Sequence, residues 1–156
     1  MERQDQAGFS LIELMIVVTI IGIIASIAIP NLMASRRAAN EASAQQSLRT
    51  ISTCEATYLH TEGNGNYTDL SGLGAKTLTD SLLSTGSKSG YTFVINAVSG
   101  PSAQYWGYAI PVTTSGMGQT GTRRFGITED AVLRGDATLS APADGAAVKA
   151  MNPLGN

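Results

Sequence analysis

The sequence contains little of the chemistry that enzymes and nucleic-acid-binding proteins use. Its 156 residues include one cysteine, Cys54, and one histidine, His60. No disulfide can therefore form within the chain, and His60 has no partner at metal-ligand spacing. Charged residues make up 14% and the formal net charge is −2, which leaves no basic patch for nucleic acid. From this composition we expect no enzymatic activity, no metal and no cofactor.

A long apolar segment near the N-terminus dominates what is present. From Phe9 to Ile29 the only ionisable side chain is Glu13, and about 20 apolar residues suffice to cross a bilayer as a helix. A carboxylate inside such a segment costs about 2.5–3.5 kcal/mol on insertion scales, so Glu13 is expected to have a partner or a function. A short polar segment ends at Gly8, which makes the Gly8–Phe9 bond an attractive cleavage site.

Two ordinary explanations of the apolar segment remain open. A cleaved secretory signal peptide has an apolar core of about 7–15 residues without an internal carboxylate. That core is shorter than this segment, although Ala25-Ser26-Ile27-Ala28 resembles a signal cleavage site. A single-span membrane anchor has the right length but leaves Glu13 unexplained.

The helical pattern continues beyond the apolar segment. Between residues 31 and 61 apolar side chains recur at steps of three and four, which predicts an amphipathic helix. The apolar face comprises Ala44, Leu48, Ile51, Cys54 and Tyr58, and the polar face comprises Arg36, Arg37, Asn40, Glu41, Gln45 and Arg49. Gly22 weakens the helix by about 1 kcal/mol relative to alanine. Pro30 removes a backbone donor, so a kink or local opening is expected there.

The rest of the sequence predicts a small antiparallel β-sheet. Turn-forming residues at 62–66 end the helix, and a Gly/Ser/Thr-rich connection with a helical turn or two near 78–83 follows. Strands are predicted over 91–98 and 104–112, with a hairpin whose strands cover 123–128 and 131–134. From Gly135 onward the composition predicts a weakly ordered tail. The predicted fold is therefore α+β, with one long N-terminal helix packed on a small antiparallel β-sheet head.

Residues 8–18, Gly-Phe-Ser-Leu-Ile-Glu-Leu-Met-Ile-Val-Val, resemble the N-terminal signature of type IV pilins and type II secretion pseudopilins. In that family a prepilin peptidase cleaves after the glycine and methylates the new N-terminal residue. The resemblance implies cleavage after Gly8 and N-methylation of Phe9. It also implies an assembly role for Glu13, Gly22 and Pro30, which match the glutamate and the helix-weakening residues of the family. Residues 123–134 are similar to a strand–turn–strand found in many pilin-like heads.

A pairing of Glu13 with the N-terminal amine of a neighbouring chain has a physical basis. Cleavage would create an α-amine on Phe9, about one helical turn from Glu13. In a bundle of identical helices, each Glu13 can meet the Phe9 amine of a neighbour, and opposite charges about 4 Å apart attract by about 4 kcal/mol in an intermediate dielectric. Because desolvation offsets most of this attraction, we expect the pair to set axial register more than to add stability.

The resemblance divides the chain into four segments. They are a leader peptide (1–8), a hydrophobic transmembrane and polymerisation helix (9–30), an amphipathic helix (31–62), and a connecting loop with a β-sheet head and a flexible C-terminal tail (63–156). Melting or kinking between Gly22 and Pro30 would let straight membrane helices repack in a filament. Arg3 and the Met1 amine before the apolar segment are matched by Arg36 and Arg37 after it, so the orientation in the membrane rests on the resemblance.

The function that the resemblance implies is that of a structural subunit of a type IV pilus, for adhesion, motility or DNA uptake. The expected partners are further copies of the chain in a helical filament, the prepilin peptidase, an inner-membrane assembly platform and, before assembly, the lipid bilayer. The precursor would cross the bacterial inner membrane once, and the filament would lie at the cell surface.

Two alternatives remain, a type II secretion pseudopilin and a membrane-anchored binding module that never polymerises. Residues 104–108 lack the acids of the corresponding stretch in major pseudopilins, and the acidic calcium loop of those proteins is not found in this sequence. The sequence therefore favours the pilus.

Overall fold

A helix of 51 residues, α1 (Leu11–Thr61), forms the first element of the computed structural model, which describes residues 9–155. The predicted helix from Phe9 to Thr61 is thus confirmed to within two residues at its start. The helix is continuous through Gly22 and Pro30, so the local opening expected at Pro30 is not found in this structure. The chain divides into two units at the Ser35–Arg36 bond.

The C-terminal end of α1 follows from the turn-forming residues after it. Asn64 and Gly65 adopt φ angles of 46° and 84°, in the left-handed region that ends helices. The N–H of Gly63 donates to the carbonyl of Tyr58 at 2.8 Å, and the N–H of Gly65 donates to the carbonyl of Leu59 at 3.1 Å. These bonds satisfy carbonyl groups that the helix leaves without a donor.

The head contains a sheet in which each strand pairs with the next one along the chain. Within residues 9–155 the sheet has six antiparallel strands in the order β1 to β6, which confirms the predicted meander and the α+β class. The elements after α1 are α2 (Leu70–Ala75), α3 (Ser81–Ser84), β1 (Ser87–Lys88), β2 (Tyr91–Val98), β3 (Gln104–Pro111), β4 (Arg124–Thr128), β5 (Arg134–Asp136), α4 (Gly145–Lys149) and β6 (Asn152–Pro153).

The head core lies between the C-terminal part of α1 and one face of the sheet. Leu48 and Ile51 of α1 are fully buried, and each contributes about 1.5–3 kcal/mol by leaving water. They belong to a cluster with inward-facing side chains of β2, β3 and β4. The sheet members of this cluster are Tyr91, Phe93, Ile95, Tyr105, Ala109, Phe125 and Ile127.

The opposite face of the sheet is covered in part by α4, in a region where the sequence predicted a weakly ordered tail. The structure instead forms β5, α4 and β6 there, and it buries Val148 and Met151. A Cβ on Gly126 would lie 2.6 Å from Cγ1 of Val148, so α4 sits directly on the backbone of β4. The composition did not predict this contact, because one buried valine in an Ala- and Asp-rich stretch gives no periodic signal.

The hairpin between β4 and β5 differs from the predicted one. The second strand begins at Arg134 rather than at residue 131. Asp130 holds a wider loop, because its carboxylate accepts hydrogen bonds from Thr128 and from the N–H of Val132 and pairs with Arg134. Ala131 has a φ of 58°, which is incompatible with an extended strand at that position.

Candidate functional site

The N-terminal half of α1 exposes an apolar surface on all sides. Phe9 is 85% exposed, and nearly every large apolar side chain that follows it up to Leu32 is also exposed. This group comprises Leu11, Ile12, Leu14, Met15, Ile16, Val17, Val18, Ile20, Ile21, Ile23, Ile24, Ile27 and Ile29. A soluble monomer rarely exposes an apolar surface of this extent, so lipid or other protein chains have to cover it.

The same segment meets the physical requirements for lying in hydrocarbon. It is long and apolar enough to cross a membrane, and an 18-residue window has a mean hydropathy of 2.7. Its hydroxyl groups are satisfied within the helix, since Thr19 donates to the carbonyl of Met15 and Ser26 to that of Ile23, each at 2.7 Å. Polar groups bonded in this way avoid the penalty of being unsatisfied in lipid.

Glu13 closes the first turn of its own helix. The N–H of Ser10 donates to Oε2 of Glu13 at 3.0 Å, and the N–H of Leu14 donates to the carbonyl of Ser10 at 3.3 Å. This geometry matches half of a capping box, in which the side chain at the third helical position accepts from the backbone N–H of the N-cap residue, in this chain Ser10. The Ser-x-x-Glu spacing of residues 10–13 carries that signal, which our sequence interpretation did not use.

The other predicted assembly residues lie along the same segment. A Cβ added at Gly22 would find nothing within 4 Å among residues 9–155, so no contact within the described part of the chain requires glycine there. Pro30 lies inside α1 and has no N–H to donate to the carbonyl of Ser26. Gly8, the predicted cleavage residue, lies outside the described residues.

A second carboxylate fixes the head to α1. Oε1 of Glu41 accepts hydrogen bonds from the N–H and the hydroxyl of Thr122, at 2.8 and 2.7 Å, and Oε2 accepts one from Arg123 at 3.0 Å. Burial alone would raise the pKa of Glu41, but these donors outweigh it and lower that pKa. Glu41 is 7% exposed, so this member of the predicted polar face is buried against the head.

A third carboxylate is buried among aromatic side chains. Glu55 is 0% exposed, and its Oε2 accepts a hydrogen bond from the N–H of Thr68 at 3.1 Å, whereas its Oε1 has no partner among the described residues. Burial raises the pKa of Glu55 to about 7, with Asp69 adding to the shift and the Thr68 bond opposing it. The spacing carries a signal for this burial that our sequence interpretation did not use, because Glu55 lies four residues after Ile51 and three before Tyr58, on the apolar face of α1.

Among residues 9–155 no group of three or more His, Cys, Asp or Glu side chains is arranged to hold a metal ion. Cys54 is buried and donates its S–H to the carbonyl of Leu78 at 2.8 Å.

Comparisons with known proteins cover only a short part of the chain. Residues 3–29 match the family model described as the prokaryotic N-terminal methylation motif. The type II secretion system core protein G of Klebsiella michiganensis is 53% identical over 36 residues, which are 23% of this chain and 25% of that protein. The protein of the same name from Aeromonas hydrophila is 44% identical over 41 residues, 26% of this chain and 29% of its own length.

A third relative has a different name. The type IV wide pilus major component PilA4 of Thermus thermophilus is 53% identical over 38 residues, which are 24% of this chain and 29% of that protein. This chain thus spans between 25 and 29% of the length of these curated relatives. No solved structure matches the chain significantly.

Proposed function

At its N-terminus this chain belongs to the family of type IV pilins and type II secretion pseudopilins, and we propose that it is the structural subunit of a type IV pilus. The observation that carries the proposal is the exposed apolar surface of residues 9–32, which contains a single carboxylate. A helix of this kind is stable in lipid before assembly and in a bundle of identical helices afterwards.

Processing prepares the helix for assembly. A prepilin peptidase would cleave the Gly8–Phe9 bond and methylate the amine of Phe9, which is consistent with the methylation motif over residues 3–29. The precursor would be held in the inner membrane by the apolar segment and passed from an assembly platform to the growing filament. Adhesion, motility and DNA uptake are the roles open to such a filament.

The geometry around Glu13 supports a contact between subunits. One carboxylate oxygen of Glu13 holds the N–H of Ser10, and a carboxylate has acceptor capacity on both oxygens. Glu13 can therefore keep its helix cap and at the same time accept the methylated amine of Phe9 from a neighbouring chain. The cap fixes the direction of the side chain, so this contact would define the axial step between subunits.

The test combines the mature N-terminus with the filament itself. Mass spectrometry of the mature protein should find a chain that begins at N-methylated Phe9, and electron microscopy of sheared cells should find filaments made of it. Glu13→Ala and Glu13→Gln should both reduce filament yield or alter the axial spacing, because neither retains a charge for the amine. Wild-type yield and spacing in both variants would refute the role of Glu13, and a chain that retains Met1 would refute the processing.

A type II secretion pseudopilin is the second candidate. It is favoured by the two relatives named type II secretion system core protein G, whose matched segments are as long as that of the pilus component. The head supports the pilus instead, because residues 104–108 carry no acids. Deletion of the gene separates the two functions: loss of surface filaments supports a pilus, and loss of protein secretion with filaments unchanged supports a pseudopilus.

A further inference from the structure

A cleft of about 310 Å³ opens on the face of the sheet that points away from α1. It lies where β2 ends and β3 begins, beside the loop after β4, and α4 forms one of its walls. Residues that line it include Val98, Gln104, Trp106, Glu129 and Lys149. Its volume is at the small end of the range for small-molecule sites, which suits a ligand of one or two sugar rings.

The aromatic wall of this cleft is held in place before any ligand arrives. Trp106 is half-buried, and its ring stacks on Tyr108 with centroids 5.8 Å apart and an interplanar angle of 22°. The backbone of Gly145 packs against the same side chain, since a Cβ there would lie 3.3 Å from Cβ, Cγ and Cδ1 of Trp106. An indole held by these two contacts presents its remaining apolar surface to the cleft at little entropic cost on binding.

The polar groups of the cleft surround this wall. Oε1 of Glu129 accepts from Nζ of Lys149 at 2.6 Å, and Oδ1 of Asp144 accepts from the N–H of Ala147 at 2.8 Å. Each carboxylate has a second oxygen, and an ammonium group has three donors. The amide of Gln104, which is exposed, adds one donor group and one acceptor. The cleft thus offers both donors and acceptors beside an apolar surface.

We propose that this cleft binds a neutral saccharide, with one sugar ring stacked on Trp106 and its hydroxyls bonded to Glu129, Asp144 and Gln104. A sugar ring has an apolar C–H face and a periphery of hydroxyls that both donate and accept, which matches this combination of groups. Phosphate-bearing ligands fit poorly, because the two carboxylates outnumber the single lysine and Lys149 is already paired. The site lies in the head and does not depend on filament assembly.

The composition of the chain provides a specific reporter, because Trp106 is its single tryptophan. The full chain is solubilised in a detergent without a sugar headgroup, such as an amine oxide, since maltoside detergents would compete for the cleft. Maltose, lactose and N,N′-diacetylchitobiose are then titrated while tryptophan emission is recorded. At least one of them should change the emission saturably, with a Kd of about 1 mM. No saturable change for any of the three up to about 50 mM would overturn the proposal.

Matched variants assign the binding to the cleft. Glu129→Ala should weaken binding about tenfold, because it removes a charged acceptor. Glu62→Ala is the control, since Glu62 is also a lysine-paired glutamate, bonded to Lys76 at 2.7 Å, but does not line the cleft. Equal affinities of the two variants would overturn the proposal, as would saturable binding of a lysine-rich tetrapeptide in place of the sugars. Trp106→Leu, followed by ligand-observed NMR because the reporter is lost, should abolish binding.

Discussion

Glu41 of α1 and Thr122, which precedes β4, are joined by two hydrogen bonds to a single carboxylate oxygen, at 2.8 and 2.7 Å. The residues are 81 positions apart in the sequence, so these bonds connect the long helix to the middle of the sheet. Arg123 completes the contact through the second oxygen of the carboxylate. The contact fixes the loop before β4 on the helix that would carry the subunit in a filament.

Removing the Glu41 carboxylate should therefore destabilise the head. Glu41→Ala leaves the N–H and the hydroxyl of Thr122 without their acceptor, and we expect the free energy of unfolding to fall by about 2–3 kcal/mol. Thermal unfolding of the full chain in detergent, followed by the fluorescence of Trp106, measures this loss. Asp80→Ala removes another ion-paired carboxylate, one that pairs with Lys88 and also caps α3, and should cost less because it is more exposed. Equal losses in the two variants would contradict the central role of Glu41.

The lowered pKa of Glu41 also predicts an acid limit to this contact. A carboxyl group with a lower pKa in the folded than in the unfolded state stabilises the fold above its unfolded value, near 4.5. The contribution is lost as the pH falls from there through the folded pKa. The difference in stability between wild type and Glu41→Ala should accordingly shrink below about pH 4. A difference that stays constant into strong acid would show that the charge of Glu41 is not what matters.

Glu55 should give the opposite pH dependence. Its pKa is raised from 4.5 to about 7, so the folded state holds a proton that the unfolded state releases. Its contribution to stability is fully present below about pH 4.5, falls as the pH rises towards 7, and is lost above that value. Glu55→Gln, which needs no proton, should exceed wild type in stability by about 3 kcal/mol at pH 8 and lose this advantage by about pH 5.

The same unfolding assay, repeated across this pH range, tests the prediction for Glu55. Glu62→Gln serves as the control, because Glu62 is exposed and should show no such gain at pH 8. If the gain in stability of Glu55→Gln were the same at pH 5 and pH 8, its cause would be packing and not the protonation of the Glu55 carboxyl group.

Two glycine substitutions should separate packing from backbone effects in the head. Gly126→Ala places a Cβ 2.6 Å from Val148, in a buried contact between β4 and α4, and should destabilise the head by about 1–3 kcal/mol. Gly118→Ala meets nothing within 4 Å and should leave stability within about 0.5 kcal/mol of wild type. A Gly126→Ala variant as stable as wild type would mean that α4 does not pack on β4 in solution.

A third glycine should matter only in the assembled state. The Cβ of Gly22→Ala meets nothing within 4 Å among the described residues and improves helix propensity by about 1 kcal/mol, so the solubilised monomer should be as stable as wild type or more so. If small residues let neighbouring helices approach closely in the filament, the filament yield should fall. Quantification of sheared filaments, with Gly118→Ala as the matched control, measures this effect. Equal filament yields of the two variants would show that Gly22 has no role in assembly.

The local elements of the fold could be predicted because their signals are local. The apolar segment, the helix end near Thr61 and β2 at residues 91–98 were each indicated by runs of neighbouring residues. The capping of Ser10 by Glu13 was also encoded locally, in a four-residue spacing. The tail was mispredicted because β5, α4 and β6 depend on contacts with β4, which lies earlier in the chain.

The sequence by itself determined that this chain carries an N-terminal helix that cannot remain exposed to water, since length and hydropathy along one segment decide that. It also determined the single charge within the apolar segment 9–29, at Glu13. Only the tertiary structure decided what surrounds the acids on the buried face of the helix. Glu41 and Glu55 both lie on a helix that reads as amphipathic, yet folding brings Thr122 to one of them and encloses the other. The environment of a carboxylate depends on segments that are distant in the sequence. The pattern of residues within the helix does not specify which of these segments pack against it.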